Sequence, residues 1–249
     1  MFDKKLVICG TARNIGKYFH QVFSNIYKIQ DLFINSTVIV FYDESDDNTE
    51  RLLSNENIVF IKNKEPLHDL RVARICNGRN KIIEYIEKFN MNPDYMIMMD
   101  FDDVTAGRIN LPVLIDDLNN DAHWDCMTYN KEDYYDIFAL CYNQFTYNCW
   151  SYGHLSPYVV ELIKRDITQQ LDLCEDYIEV KSAFNGFGIY KYEKFKGIKY
   201  HYHKLRLPNQ LPLQTFDIPE NCEHIPFHLE AITKNKAKIK INKKILFPN

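Results

Sequence analysis

The stretch from Tyr95 to Asp103 constrains this chain most, because five apolar or aromatic residues run directly into the carboxylates Asp100, Asp102 and Asp103. The apolar run has the length of a buried strand, and Pro93 precedes it. Because unpaired carboxylates are costly to bury, the acids must lie where the strand leaves the core. The pattern therefore predicts negative charge at the carboxyl edge of a sheet, where open α/β sheets bind ligands.

The acidic group after this strand has two interpretations. Asp100 and Asp102 are two residues apart, and Asp103 turns with the loop. Carboxylate oxygens in such a cluster bind a hard divalent cation, and the cation can then hold phosphates. The alternative is an acidic turn after a strand, which is a common feature. The residues alone leave both interpretations open.

Bulk properties exclude several classes of protein. The 249 residues suffice for one large α/β domain, and a net charge of -4 gives no general basic field for nucleic acid. No apolar run approaches the length of a membrane helix, and the N-terminus lacks the apolar region of a signal peptide. Seven scattered cysteines without a CxxC pair predict reduced, mostly buried thiols and a cytoplasmic protein. With no repeat or linker, we expect a single domain over 1–249.

Strand and helix patterns alternate along the chain, which is typical of an α/β fold. The segment 182–191 reads as a turn entering a strand, and 142–152 mixes aromatic and amide residues that suit either a sugar or packing on the core. The segments 125–129 and 134–140 suggest a hairpin. We predict strands at 4–10, 37–42, 58–61, 95–99, 125–129, 134–140, 199–203 and 238–241, and helices at 15–29, from 50, at 81–89 with a possible start near 71, at 109–118, at 157–171 and from 222.

Polar residues near the predicted strand ends are candidates for ligand binding. Asp43 ends the second strand and could accept hydrogen bonds from a base or ribose; the alternative is a solvated acidic turn over 43–49. Arg71, Arg74 and Arg79 precede the acidic strand. An arginine there could cover a diphosphate or pair with Asp100, unless the three are simply exposed on a surface helix.

The order of these elements resembles the GT-A glycosyltransferases, which transfer sugars from nucleotide sugars with a divalent metal. A strand ending in an acidic turn, an Arg-Asn pair at 79–80 and a strand ending in Asp-x-Asp carry the resemblance. Three later segments resemble a narrower group, the fungal capsule-type α-1,3-mannosyltransferases and their relatives. These segments are Tyr134–Leu140, Asn185–Tyr190 and Cys222–His228.

The resemblance implies a fold and an activity. The expected fold is α/β of the GT-A type, a single Rossmann-like domain with a mixed central sheet flanked by helices. Residues 1–105 would bind the nucleotide sugar and residues 106–249 the acceptor. The implied activity is metal-dependent transfer of a hexose from GDP-mannose or a UDP-hexose to a glycan or protein acceptor, with Mn²⁺ or Mg²⁺ as cofactor.

The resemblance also implies roles for particular residues. Asp102 would ligate the metal, and Asp100 would bind the ribose or the metal through water. Glu223 lies where related inverting enzymes carry the base, and His224 or His228 could complete the metal shell. The alternative is that both histidines pack the last helix against Tyr200 or Tyr202. The implied nucleotide-sugar-binding residues are Thr11, Ala12, Arg13, Asp43, Arg74, Arg79, Asp100, Phe101 and Gly186.

Two other functions compete with glycosyl transfer. A nucleotidyltransferase that makes a nucleotide sugar also uses paired acids, but it typically opens with a glycine-rich basic loop, and Cys9–Arg13 is poor in glycine. A non-catalytic sugar-binding module is the other alternative, and the intact Asp100 and Asp102 argue against it. The donor, the acceptor and the stereochemical outcome stay open.

Overall fold

The computed structural model describes residues 1–142, 149, 156–202 and 221–248. A short 3-10 turn, Asp103–Thr105, follows the acidic strand. The strands are β1 (Phe2–Ala12), β2 (Phe33–Tyr42), β3 (Val59–Lys62), β4 (Tyr95–Met99), β5 (Cys126–Asn130), β6 (Tyr177–Val180), β7 (Phe187–Lys191) and β8 (Ile239–Ile245). The helices are α1 (Phe19–Gln30), α2 (Thr49–Ser54), α3 (Arg71–Lys88), α4 (Leu111–Asn119), α5 (Pro157–Leu173), α6 (Tyr192–Phe195) and α7 (His224–Asn235).

The eight strands form one sheet in the order β3-β2-β1-β4-β7-β5-β8-β6. The first four strands of that order are parallel to one another. Strand β7 is antiparallel to both β4 and β5, β8 is parallel to β5, and β6 is antiparallel to β8. This arrangement confirms the predicted mixed central sheet.

Helices cover both faces of the sheet. Successive side chains of each buried strand point to opposite faces, so apolar residues of one strand pack against helices on both sides. In β1, Ile8 joins a core with α1 and α4, whereas Cys9 joins a second core with α3, α5 and α7. Helix α1 buries Val22 and Ile26 at helical spacing against the first face. The acidic end of β4 therefore lies in the middle of a sheet that is covered on both faces.

Two predicted strands are wrong. Residues 134–140 form no strand, because both edges of β5 are occupied by β7 and β8, which leaves no edge for a hairpin partner. Residues 199–202 are also irregular, since the Asn80 side chain takes both backbone groups of Tyr200, at 2.7 and 2.8 Å. Strand β6 was not predicted. His203 and most of the aromatic segment 142–152 lie outside the described residues.

Helix α3 begins at Arg71 and lies close to the sheet. Gly78 makes this approach possible, since a Cβ at this position would meet the Phe41 ring at 2.6 Å and Thr11 Cγ2 at 2.7 Å. A side chain of any size would push the helix away from the ends of β1 and β2. The first turns of α3 consequently stand over the carboxyl edge of the parallel strands.

Two predictions from composition can be compared with the structure. All seven cysteines are free thiols, and six of them are buried, as predicted. Within the described ranges, no helix is both long enough and apolar enough to cross a membrane.

Candidate active site

The backbone fixes Asp100 where β4 ends. Its N–H donates to the Gly186 carbonyl at 2.8 Å, and its own carbonyl accepts from Thr105 Oγ1 at 2.5 Å. Gly186 has a φ of +81° and packs so closely on Val104 that a Cβ would overlap it. Gly186 therefore contributes by holding the β4 end in place, and it does not line either cavity described below.

Asp102 is half-buried beside Asp100 and is not ion-paired with a cation within the described residues. Its Oδ1 accepts from the Val104 N–H at 3.1 Å, and among the described residues it forms no ion pair. Burial and then the charge of Asp100 raise the pKa of Asp102 to about 6, while the Val104 N–H and the charge of Arg71 oppose the rise. Asp102 and Asp100 repel each other, and Arg79 pairs with Asp100 alone, so a divalent cation at Asp102 would relieve the remaining repulsion.

A cavity of about 250 Å³ opens next to these acids. The ends of β1 and β2, the start of α3 and the end of β4 all contribute to its wall. It brings together eight of the twelve predicted nucleotide-sugar or metal residues and leaves out Arg79, Gly186, His224 and His228. The lining residues are Thr11, Ala12, Arg13, Asn14, Ile15, Phe41, Asp43, Arg71, Arg74, Ile75, Asp100, Phe101 and Asp102. We call it the first cavity.

The loops after β1 and β2 support each other at this cavity. The Asp43 N–H donates to the Ala12 carbonyl at 3.0 Å, and Arg13 Nε donates to the Glu44 carbonyl at 3.0 Å. Asp43 is almost buried, and its Oδ1 accepts from Asn63 Nδ2 at 2.7 Å. These hydrogen bonds hold the two loops in place as one wall of the first cavity, and Asp43 is part of that wall.

The rest of the acidic turn 43–49 has a structural function. Asp47 accepts from the Gly16 N–H at 2.8 Å and from the Thr49 N–H at 2.9 Å. Thr49 is fully buried, and its Oγ1 accepts from the Ile15 N–H at 2.8 Å. These contacts join the two loops, so most of the turn is not free for a ligand.

The two arginines of the first cavity differ in their contacts. Arg74 Nη1 donates to the carbonyls of His68 and Asp69. Arg71 is exposed, and among the described residues it has no hydrogen bond or ion pair. Arg71 is one of the three arginines for which the sequence allows a diphosphate contact, although the family resemblance did not include it among the nucleotide-sugar-binding residues.

Arg79 lies in the core, paired with acids. Its side chain is 3% exposed; Nη2 bonds Asp100 Oδ1 at 3.0 Å, and Nη1 contacts both Glu223 Oε1 and His224 Nε2. Its guanidinium also lies over the Phe184 ring, at 4.8 Å. The pairing with Asp100 was one of the two predicted alternatives. Arg79 positions Asp100 and Glu223 through its two Nη atoms, and its Nε is buried without a hydrogen-bond partner among the described residues.

The two histidines of α7 are buried and neutral. Burial, followed by the charge of Arg79, lowers the pKa of both, and that of His228 falls to about 3. His228 uses both ring nitrogens, toward Ser182 Oγ at 3.0 Å and the Tyr190 hydroxyl at 3.2 Å. It therefore has no nitrogen left for a metal here.

His224 stacks on Phe184 with ring centroids 3.8 Å apart and meets Tyr200 edge-on. This is the packing that the structural alternative for the histidines required. Across the parts of the chain that the structure describes, no group of three or more His, Cys, Asp and Glu side chains could hold a metal. Asp100 and Asp102 would therefore share a cation with phosphates of a ligand.

A second cavity, of about 260 Å³, lies on the other side of Asp100. It shares Arg71, Ile75 and Asp100 with the first cavity. One of its lining residues is Asp136, which was not predicted to be a site residue and lies in the segment 134–140 that was predicted to be a strand. The other lining residues are Val72, Arg79, Tyr135, Ile137, Phe138, Phe184, Cys222, Glu223 and His224.

Comparisons with known proteins show the fold. No protein-family model and no curated protein sequence matches the chain. Staphylococcus aureus TarS 1-349, solved with UDP-GlcNAc, is 14% identical with a TM-score of 0.53 and covers 98% of this chain and 57% of its own. Pyrobaculum calidifontis mannosyltransferase PcManGT, solved with GDP-Man and Mn²⁺, is 10% identical with a TM-score of 0.52 and covers 100% of this chain and 59% of its own.

The chain thus spans less than three fifths of the length of both solved structures. At these identities the similarity concerns the fold, and it does not extend to the fungal capsule-type group. Both neighbours are GT-A glycosyltransferases. The eight-stranded mixed sheet flanked by helices matches these neighbours, and the protein has the GT-A glycosyltransferase fold.

Proposed function

We propose that the protein is a metal-dependent glycosyltransferase that moves a hexose from a nucleotide diphosphate sugar to a glycan or protein acceptor. The observation that carries this proposal is the pair Asp100 and Asp102 at the edge of the first cavity, in which Arg79 binds Asp100 while Asp102 forms no ion pair among the described residues. The solved neighbours, with UDP-GlcNAc in one and GDP-Man and Mn²⁺ in the other, support this class of donor.

The residues of the first cavity divide the task of binding the donor. Asp102, with Asp100 beside it, would hold Mn²⁺ or Mg²⁺ together with the donor phosphates. The bound cation would neutralise the charge that develops on the departing diphosphate. Asp43 accepts hydrogen bonds from the base or ribose, and Arg71 contacts the diphosphate with its free guanidinium. Thr11 and Ala12 form the wall beside the nucleotide.

The proposal assigns two halves to one domain. Residues 1–105 bind the donor, since they supply the whole wall of the first cavity. Residues 106–249 bind the acceptor. The donor is GDP-mannose if the capsule-type segments reflect a common specificity, and a UDP-hexose otherwise. Binding of GDP compared with UDP decides between these donors.

The experiment that tests the proposal is calorimetric titration of GDP and UDP with Mn²⁺ and with chelator. Without a cation the acids repel a diphosphate, so we expect tight binding only with Mn²⁺. Asp102→Asn should abolish this metal dependence and lower turnover about 10²-fold or more. Asp103→Asn is the matched control, because it removes an exposed charge one residue away, outside the first cavity. Equal affinity with and without chelator would contradict the metal bridge.

The same protein samples separate the two alternative functions. A nucleotidyltransferase would form a nucleotide sugar from a nucleoside triphosphate and a sugar phosphate. A non-catalytic sugar-binding module would neither hydrolyse nor transfer a nucleotide sugar. Release of GDP from GDP-mannose, or of UDP from UDP-glucose or UDP-GlcNAc, in the presence of Mn²⁺ would exclude the non-catalytic function.

A further inference from the structure

The second cavity adjoins the place where the donor sugar would lie. The two cavities meet at Arg71, Ile75 and Asp100, and only the first contains Asp102. A donor whose diphosphate lies near Asp102 and Arg71 has its sugar at this junction. An acceptor that attacks the sugar from the side away from the diphosphate must then approach through the second cavity.

We infer that the second cavity binds the acceptor and that Asp136 is the base that removes the proton from its attacking hydroxyl. This inference rests on the proposed glycosyltransferase function. It replaces Glu223, the residue that the sequence favoured as base, with a carboxylate from the loop that follows β5.

Glu223 is poorly placed to act as a base because it is committed to Arg79. Its Oε1 contacts Arg79 Nη1, and both side chains are almost completely buried, at 6% and 3% exposure. Taking up a proton would leave the Arg79 charge with one acidic partner fewer in the core. Asp100 is likewise paired with Arg79. Asp136 is the remaining carboxylate among the residues that line the second cavity, and no ion pair involves it within the described residues.

The backbone around Asp136 holds its carboxylate in place. The Asp136 N–H donates to Asn185 Oδ1 at 2.9 Å, and Asp136 Oδ1 accepts from the Ala139 N–H at 3.1 Å. Asn185 is fixed in turn, since its Nδ2 donates to the Tyr129 carbonyl at 3.0 Å. The Asn185 N–H also stabilises the charged carboxylate, but among the hydrogen bonds of the described residues none ends at Asp136 Oδ2. One oxygen is therefore anchored and the other is free to accept a proton.

The surroundings of Asp136 also suit a base near neutral pH. Burial, together with the negative charges of Asp100 and Glu223, raises its pKa to about 6 against the opposing effect of the backbone N–H groups of Ala139 and Asn185. The cations that line the same cavity are Arg71 and Arg79. A carboxylate of this pKa is ionised at pH 7 yet takes up a proton more readily than an ordinary aspartate.

The lining of the second cavity favours a sugar hydroxyl as the acceptor. Tyr135 is 53% exposed, and it lines the second cavity together with Phe138 and Asp136. Sugars present both apolar faces and hydroxyl groups, and this combination of aromatic and acidic residues can contact both. The same cavity would disfavour an acidic acceptor, because Asp100, Asp136 and Glu223 all lie in its wall.

The glycosyl transfer needs no reactant besides the donor and the acceptor. The acceptor oxygen forms a bond to C1 of the donor sugar while its proton passes to Oδ2 of Asp136. The bond between C1 and the diphosphate oxygen breaks, and its electron pair leaves with the diphosphate. Because attack comes from the side opposite the leaving group, the configuration at C1 is inverted.

The test uses Asp136→Asn, which keeps the oxygen that accepts from the Ala139 N–H and removes only the base. With the donor that the wild type turns over best among GDP-mannose, UDP-glucose and UDP-GlcNAc, we expect hydrolysis to fall about 10²-fold or more. Binding of the matching nucleotide diphosphate with Mn²⁺ and the melting temperature should stay unchanged. The matched control is Asp133→Asn, an exposed acid of the same loop with a φ of +57°, which asparagine tolerates.

Sodium azide distinguishes a base from a positioning residue. Azide has no proton to lose, so Asp136→Asn should transfer the sugar to azide within about threefold of the wild-type rate, since the loss concerns the base alone. A variant that is equally slow with azide, or that hydrolyses the donor within threefold of the wild type, would overturn the assignment. Retained configuration at C1 would also overturn it. A wild type that binds no nucleotide diphosphate with Mn²⁺ would instead overturn the proposed function itself.

Discussion

Two arginines of helix α3 have opposite surroundings. Arg71 is exposed, free of partners among the described residues, and shared by both cavities, whereas Arg79 is buried and contacts Asp100, Glu223 and His224. The acids differ in the same way: Asp102 forms no ion pair among the described residues, and Glu223 is paired with Arg79. Charges that the protein compensates hold the site together, and charges that it leaves uncompensated are the ones a ligand can satisfy.

The largest expected effect concerns the buried side of this comparison. Arg79→Met keeps an unbranched apolar stem but leaves Glu223 buried without its cation. We expect the free energy of unfolding to fall by about 3–5 kcal/mol, the cost of breaking a buried ion pair on one side. Urea unfolding at pH 7 measures it. Arg71→Met, which removes an exposed charge from the same helix, should cost less than about 0.5 kcal/mol.

A second variant sharpens this test. Adding Glu223→Met to Arg79→Met removes the stranded carboxylate, and buried ion pairs are often replaceable by apolar residues. We expect the double variant to recover about half or more of the lost stability. If Arg79→Met alone unfolds like the wild type, Arg79 and Glu223 do not form a compensated buried pair, and the comparison with Arg71 fails.

The parallel part of the fold was readable from sequence because its signals are local. The runs that form β1, β2 and β4 are continuous and apolar, and each ends in a polar turn at the same edge of the sheet. The segment 134–140 has similar residues, with Tyr134 and Leu140 fully buried, yet it forms a loop. Burial alone does not make a strand, and the pairing of β5 with β7 and β8 depends on residues far along the chain.

The same contrast between local and long-range signals applies to the candidate site. Asp100 and Asp102 are recognisable because the strand before them places them at an edge. The burial of Arg79 and its pairing with Glu223 join residues 144 positions apart, a distance that no local pattern reveals. Asp136 was missed for the same reason, since only the folded loop shows that it lines a cavity with Asp100.

A smaller effect is expected on the exposed side of the comparison. Because Arg71 lies at the first cavity with no protein partner among the described residues, Arg71→Met should weaken binding of GDP or UDP with Mn²⁺ about tenfold, or about 1.4 kcal/mol. Arg51→Met, an exposed arginine of α2 outside both cavities, serves as the control for the change in net charge. Calorimetric titration measures both variants. Equal weakening by the two would show a general charge effect instead of a contact.

The smallest expected effect is the pH dependence of stability that the uncompensated Asp102 imposes on the protein without metal. The carboxyl has a pKa of about 6 when folded and about 3.9 when unfolded, so the folded state holds its proton more tightly. Ionisation of Asp102 therefore lowers the free energy of unfolding by its full amount above about pH 6, and it has no effect below about pH 4. With chelator, Asp102→Asn should be more stable than the wild type above pH 6, by on the order of 1 kcal/mol after allowing for partial exposure, and equal to it below pH 4. Thermal unfolding from pH 4 to 8 measures the difference, and saturating Mn²⁺ should reverse its sign at pH 7, because only the wild type then keeps the ligand. A difference that does not change with pH would mean that Asp102 is compensated within the protein, like Glu223.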